Sequence, residues 1–95
     1  MNLNLAGKTA LITGGGSGLG LATAKNLNKE GVRTILFDKN FASFAENDFA
    51  NKQLVETVTG DVRNPEELAK LHQDLKTQNK AVDIIINCAG ITGAQ

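Results

Sequence analysis

Short apolar runs alternate with amphipathic segments along the chain. Residues 8–13 form an apolar run without alternation, which is typical of a strand covered by helices on both faces. Runs at 33–37 and 82–87 predict two more strands. Residues 54–58 alternate and carry a charge, which suits a strand at a sheet edge. The pattern therefore predicts four strands.

Helical spacing marks two segments clearly. Residues 18–29 place apolar side chains on one face, and Gly31 follows as a stop signal. The last helix begins after Asn64, which can cap it, with Pro65 at its first position and Glu67 placed to complete a capping box. Its apolar stripe consists of Leu68, Leu71 and Leu75.

The segment between the second and third strands has a weaker pattern. Phe41, Phe44 and Phe49 follow a rough helical spacing, whereas Asn47 and Asp48 weaken it. We expect one short helix and an irregular connection here.

The order of elements is β-α-β-α-β-α-β, which predicts an α/β fold with a doubly wound parallel sheet and right-handed crossovers. The expected strand order is 3-2-1-4, with the reversal between strands one and four. Residues 1–95 are enough for one domain. Ligands of such sheets bind at the carboxyl ends of the strands beside the reversal.

A glycine-rich turn joins the first strand to the first helix. Its sequence is Thr-Gly-Gly-Gly-Ser-Gly-Leu-Gly, residues 13–20, which fits the spacing T-G-x-x-x-G-x-G. Glycines let backbone N–H groups approach an anion, and a helix start adds unpaired donors and a partial positive charge. A flexible turn is the alternative, but the flanking strand and helix favour phosphate binding.

Asp38 ends the second strand, eighteen residues after Gly20. A carboxylate there can accept hydrogen bonds from an adenosine ribose and would repel a 2′-phosphate, which predicts NAD rather than NADP. The neighbouring Lys39 would soften that exclusion. The alternative is an aspartate that only closes a strand.

Polar and small residues also follow the third and fourth strands. Asp61 can accept a hydrogen bond from the adenine amino group, or form an Asx turn before the next helix. Asn87 can bond backbone and hold strand four to strand one. Cys88 is expected to be a small buried residue rather than a nucleophile. Ala89 and Gly90 let the backbone pass close to a ribose.

The amino-acid composition excludes several classes of binding partner. Ten basic residues balance ten acidic ones, so neither a nucleic acid nor a membrane surface is an expected partner. The apolar runs are too short for a bilayer, and the first residues do not resemble a secretory signal. One cysteine fits a reducing compartment, the cytoplasm. With one histidine and one cysteine, we expect no zinc site made of protein ligands alone.

Together these motifs resemble the short-chain dehydrogenase/reductase family, whose fold is of the Rossmann type. The resemblance covers essentially the whole chain and implies an NAD site. The residues that it implies for the pyrophosphate turn, the ribose, the adenine and the fourth strand's turn are Gly14, Ser17, Gly18, Leu19, Gly20, Asp38, Asp61, Val62, Asn87, Cys88, Ala89 and Gly90.

One turn of the chain also resembles a particular subfamily. The Asn-Cys-Ala-Gly turn at 87–90 departs from the family's commoner Asn-Asn-Ala-Gly by a cysteine. With residues 18–24, it resembles type II 3-hydroxyacyl-CoA dehydrogenase, where the cysteine position lines the cofactor through its backbone.

Family catalysis uses a Tyr-x-x-x-Lys pair with an upstream serine, and this chain contains no tyrosine. We therefore assign no catalytic residue and expect the chain to be the NAD-binding portion of an oxidoreductase, inactive alone. Its alcohol, ketone or acyl-CoA substrate would require the missing part. A non-catalytic nucleotide-binding or interaction module is the alternative, and a methyltransferase fragment a weaker one. Strand four is an open edge, which predicts a homo-oligomer or a completing polypeptide.

Overall fold

The computed structural model describes residues 5–88, so the predictions for Ala89 and Gly90 lie outside the described residues. Four strands and two α-helices follow one another in this part of the chain. They are β1 (Thr9–Thr13), α1 (Gly18–Lys29), β2 (Arg33–Asp38), β3 (Val55–Thr59), α2 (Pro65–Thr77) and β4 (Ile84–Asn87).

The four strands form one parallel sheet in the order β3-β2-β1-β4, which confirms the predicted topology. Thr13 at the end of β1 is in register with Phe37 on one side and Asn87 on the other. Asp38 at the end of β2 is in register with Thr59. The carboxyl ends of all four strands therefore meet at one edge, where the glycine turn also begins.

The sheet is covered differently on its two faces. On one face, Ile12 and Leu36 pack against α1 and the phenylalanines of the connection that follows β2. On the other, Leu11, Ile35 and Phe37 pack against the leucine stripe of α2. Neither α-helix within residues 5–88 combines the length and apolar character that crossing a bilayer would require.

The connection between β2 and β3 differs from the expected short helix. It contains two single turns of 3₁₀-helix, Glu46–Asp48 and Lys52–Leu54. Buried Asn28 near the end of α1 explains the difference, because its side chain bonds the backbone of Asn51. Its Nδ2 donates to the Asn51 carbonyl oxygen (2.9 Å), and its Oδ1 accepts from the Asn51 N–H (2.8 Å). These bonds hold residue 51 in an extended link.

Several strand boundaries differ from expectation by one or two residues; β1 begins at Thr9 rather than residue 8, and β3 ends at Thr59 rather than residue 58. β3 begins at Val55, because Leu54 closes a 3₁₀ turn. β4 begins at Ile84 rather than residue 82, because the carboxylate of Asp83 accepts the N–H of Thr9 (2.9 Å) in place of a backbone carbonyl.

Helix ends follow the sequence signals closely. Gly31 lies just beyond α1 with a φ of 88°. Asn64 caps α2 by accepting the N–H of Glu66 (3.0 Å). The expected capping box is altered, because Glu67 accepts from the N–H of Asp61 (3.0 Å) and from the side chain of Asn64 (2.9 Å) instead.

Candidate nucleotide-binding site

The glycine turn is held tightly between β1 and α1. The Gly14 N–H donates to the carbonyl oxygen of Phe37 (2.8 Å), which ties the turn to the end of β2. A Cβ at Gly20 would overlap the Gly14 carbonyl oxygen. The turn therefore closes onto the first turn of α1 so closely that only glycine fits there.

The start of α1 leaves backbone donors without an acceptor inside the helix. Ser17 is the N-cap residue, yet its side chain makes no capping hydrogen bond. Within residues 5–88, the N–H groups of Gly18, Leu19 and Gly20 have no intrahelical acceptor, because the first bond of the helix runs from Leu21 to Ser17 (3.2 Å). The side chains of Ser17 and Leu19 are exposed. An anion at this point would meet several N–H donors and a free hydroxyl.

Asp38 lies directly against this turn. Its Oδ2 accepts from the N–H of Gly16 (2.9 Å), and its Oδ1 accepts from the N–H of Lys39 (2.6 Å). A Cβ at Gly16 would overlap the carbonyl oxygen of Asn40, so the two segments touch through backbone. The sequence placed Asp38 at this edge but missed Gly16 as its donor.

Asp61 lies at the end of the neighbouring strand. The Gly60 N–H donates to the Asp38 carbonyl oxygen (2.9 Å), so the ends of β2 and β3 are adjacent. The Asp61 carboxylate forms the Asx turn expected as one alternative, by accepting from the N–H of Arg63 (2.9 Å). It also pairs with the Arg63 guanidinium (2.8 Å). Val62 packs under α2.

These contacts change the acidity of Asp61. The Arg63 side chain, and then its backbone N–H, lower the pKa of the Asp61 carboxyl from 3.8 to about 2. The same pairing raises the pKa of Arg63. The carboxylate therefore stays ionised at any pH at which the protein would be assayed.

The ends of β1 and β4 are joined through side chain and backbone. Asn87 links the two strands as expected, but its Oδ1 accepts from the Thr13 hydroxyl (2.8 Å) rather than from a backbone N–H. Cys88 is buried, as predicted, and its N–H donates to the Thr13 carbonyl oxygen (2.9 Å). A Cβ at Gly20 would lie 3.2 Å from the Cys88 Cβ.

The structure thus brings Gly14, Ser17, Gly20, Asp38 and Cys88 around one edge of the sheet, with Asp61 on the adjacent strand end. Comparison with known proteins gives the same family that the sequence motifs resemble. The family model described as "short chain dehydrogenase" matches residues 8–95. The chain belongs to the short-chain dehydrogenase/reductase family. The methyltransferase alternative is therefore wrong.

Relatives within this family are much longer than the chain. Ipsdienol dehydrogenase from Ips pini is 35% identical over 91 residues, which are 96% of this chain and 34% of that protein. An NADP-dependent dehydrogenase from Cochliobolus lunatus is 36% identical over 88 residues, covering 92% of this chain and 31% of that protein. The chain thus spans about a third of the length of these relatives.

A solved short-chain dehydrogenase from Leptospira borgpetersenii with bound NAD⁺ superposes with a TM-score of 0.75 at 29% identity. The match covers 87% of this chain and 31% of that one. Family membership makes NAD(P) the cofactor class. These similar proteins include both an NADP-dependent dehydrogenase and a structure with bound NAD⁺.

Proposed function

We propose that this chain is the NAD-binding portion of a short-chain oxidoreductase that transfers hydride between NAD(H) and a hydroxyl or carbonyl substrate. The observation that carries the proposal is the open helix start beside a fixed carboxylate. Ser17 leaves its hydroxyl and the first-turn N–H groups free, and Asp38 lies against the same turn.

The residues present fit a dinucleotide. The N–H groups of Gly18 to Gly20 and the Ser17 hydroxyl would hold the pyrophosphate, with Leu19 exposed beside them. Gly14 shapes the turn that presents them. Cys88, and Asn87 through its bond to Thr13, would form the floor between β1 and β4. A contact of Ala89 and Gly90 with the ribose stays a prediction from the sequence.

We propose NAD rather than NADP because of how Asp38 is held. Two N–H donors fix its carboxylate, so it cannot turn away from an incoming 2′-phosphate without losing both bonds. Two unit charges 4 Å apart repel by up to ~4 kcal/mol at an effective dielectric constant of 20. The Lys39 side chain is exposed and offsets part of this repulsion.

Nicotinamide supplies the hydride acceptor or donor when the dinucleotide is bound. The described residues would bind and orient the dinucleotide. The chain contains no tyrosine that could move the substrate proton. We expect proton transfer to come from residues outside these 95. The purified chain should therefore give no NADH from any alcohol, and enzymatic turnover by it would contradict this assignment.

For the substrate, we propose a 3-hydroxyacyl-CoA. The support is the resemblance of the turn at 87–90 and of residues 18–24 to type II 3-hydroxyacyl-CoA dehydrogenase. The test is oxidation of NADH by the whole protein with acetoacetyl-CoA, compared with ketones that lack CoA. Equal or faster turnover of simple ketones would contradict the acyl-CoA assignment and leave the NAD site standing.

We also propose that β4 takes a partner strand, from a second copy or from another polypeptide. Within residues 5–88, β4 pairs with β1 alone, and Ile85 is 61% exposed. An apolar side chain on an open edge favours pairing. We also propose a cytoplasmic location, which is supported by the single cysteine, free and buried.

NAD titration of the ¹⁵N-labelled chain tests the cofactor site, because amide shifts report both affinity and place. We expect NAD to shift the amides of the glycine turn and of Asp38. Ser17→Ala should weaken NAD binding about three- to tenfold, since a hydrogen bond to a charged group is lost. Ser43→Ala, another exposed serine, is the matched control and should change nothing. NAD shifts that avoid the glycine turn would contradict the proposal.

A further inference from the structure

The loop after β3 contains a polar network that the nucleotide-binding turn does not use. It consists of Asp61, Arg63, Asn64 and Glu67. The network begins next to Asp38, because the Gly60 N–H bonds the Asp38 carbonyl oxygen. It therefore lies where the adenosine half of a dinucleotide would end.

Arg63 holds the Asp61 carboxylate by two kinds of bond. Its Nη2 donates to Oδ2 (2.8 Å), and its Nε lies within reach of both oxygens (3.1 and 3.2 Å). Its backbone N–H donates to Oδ1 (2.9 Å). A planar guanidinium that meets a carboxylate through two nitrogens fixes the plane of that carboxylate as well as its position.

The other side of the loop is fixed to α2. The Asp61 N–H donates to Oε1 of Glu67, and Oε2 of the same side chain accepts from Asn64, the cap of the helix. The backbone of Asp61 is thereby tied to α2 while its side chain is tied to Arg63. Both the origin and the direction of the carboxylate are set before any ligand arrives.

The arrangement leaves room for one more donor. A carboxylate has about four lone-pair positions. The backbone N–H and the Nε–H of Arg63 occupy the two lone pairs of Oδ1. Nη2 occupies one lone pair of Oδ2, and the slightly longer contact from Nε to Oδ2 belongs to the same Nε–H that already bonds Oδ1. The Asp61 side chain remains 28% exposed, so a ligand can reach the open position on Oδ2.

We propose that Arg63 is a positioning residue, which orients Asp61 so that one lone pair of Oδ2 accepts a hydrogen bond from the adenine amino group. The inference rests on the proposed NAD site. Arg63 acts through Asp61 and touches no reacting atom. The single open acceptor position matches the single N–H that an exocyclic amino group can direct at one oxygen.

The sharp test compares two ligands that differ at this edge of the purine. Nicotinamide hypoxanthine dinucleotide carries a carbonyl oxygen where NAD carries the adenine amino group, and a proton on the neighbouring ring nitrogen N1, where adenine has a lone pair. The wild-type chain should bind NAD about tenfold more tightly than the hypoxanthine analogue, as for one hydrogen bond to a charged acceptor. Arg63→Gln should reduce that preference to less than about threefold by weakening NAD binding, with the affinity for the analogue unchanged.

Two further variants separate positioning from charge and from folding. Lys70→Gln removes another exposed cation, paired with Asp74 (3.2 Å) on α2, and should keep the full preference. Arg63→Lys keeps the positive charge but loses the planar guanidinium, and should give an intermediate preference for NAD over the hypoxanthine analogue. Equal weakening of both dinucleotides in Arg63→Gln would reveal a merely structural role and overturn the inference.

Other outcomes are equally decisive. An undiminished preference in Arg63→Gln would refute the positioning role while leaving the NAD site intact. A selective loss of NADP affinity in that variant would instead make Arg63 a 2′-phosphate ligand and would likewise overturn the inference. Failure of the wild-type chain to bind either dinucleotide would refute the proposed function itself, and the inference with it.

Discussion

Replacing Asn28 by alanine should weaken the attachment of the connection between β2 and β3 to helix α1. Asn28 is fully buried near the end of α1, and its side chain makes two hydrogen bonds to the backbone of Asn51. Both bonds are lost in Asn28→Ala. The third bond of this pair, from the Asn51 side chain to the Asn28 carbonyl oxygen (2.7 Å), is retained.

The magnitude follows from these bonds. Two hydrogen bonds at about 0.5–1.5 kcal/mol each stabilise the fold by about 1–3 kcal/mol. Alanine favours the helix over asparagine by about 0.6 kcal/mol, which offsets part of the loss. The free energy of unfolding should therefore fall by about 0.5–2.5 kcal/mol. In a chain of this size, each 1 kcal/mol shifts Tm by about 4–8 °C.

Asn26 provides the matched control, because it lies on the same helix but is exposed. Asn26→Ala changes helix propensity alone and should stabilise by about 0.6 kcal/mol. Urea unfolding followed by circular dichroism measures both variants. The difference between them, about 1–3 kcal/mol, isolates the two buried bonds. Equal stabilities would refute the role assigned to Asn28 in shaping the connection.

Three further predictions follow from other contacts. Gly20→Ala should lower the free energy of unfolding by about 1–3 kcal/mol, because the new Cβ would overlap the Gly14 carbonyl oxygen, although helix propensity alone favours alanine. Urea unfolding gives the sign of the change, and a more stable variant would contradict the turn geometry. In Arg63→Gln, the pKa of the Asp61 carboxyl should return from about 2 towards 3.8, as read by ¹³C NMR. A lowered carboxyl pKa adds stability that is complete above about pH 3.8 and lost as pH falls towards 2, so the variant should lose less stability over that range, and an unchanged pKa would be inconsistent with the pairing. Light scattering across a dilution series should show association through the β4 edge, with slowed exchange of the Ile84–Ile86 amides, whereas a stable monomer whose amides exchange freely would count against it.

The parts of the fold that the sequence predicted well depend on local signals. The bounds of α1 follow from the glycine turn before it and Gly31 after it, and α2 begins where Asn64 and Pro65 indicate. The strand order is the one that doubly wound folds adopt, once four parallel strands are recognised. Each of these features is decided by residues adjacent in the chain or by a general rule of topology.

The errors arise where a distant side chain replaces a backbone partner. The connection after β2 takes its form from Asn28, which lies 23 residues away from Asn51 in sequence. β4 starts late because the side chain of Asp83 bonds Thr9, 74 residues away. Neither contact leaves a periodic signal in the sequence, so hydrophobic patterning cannot reveal it.

The site was predicted in the same uneven way. The glycine spacing and Asp38 identified the turn and its neighbouring carboxylate, but the N–H of Gly16 as donor to Asp38 required the three-dimensional approach of two loops. Arg63 was missed although it stands only two residues after Asp61. An arginine two residues beyond an aspartate in an Asx turn is the local signal that indicates such a pair.

The most direct test of the account compares NAD and NADP binding by the wild-type chain and by Asp38→Ala, using amide shifts to measure both affinities. We expect the wild type to bind NAD at least about tenfold more tightly than NADP, because of the fixed carboxylate beside the glycine turn. Asp38→Ala should lose most of this preference, mainly by gaining affinity for NADP. Tighter binding of NADP than of NAD by the wild-type chain would contradict the account.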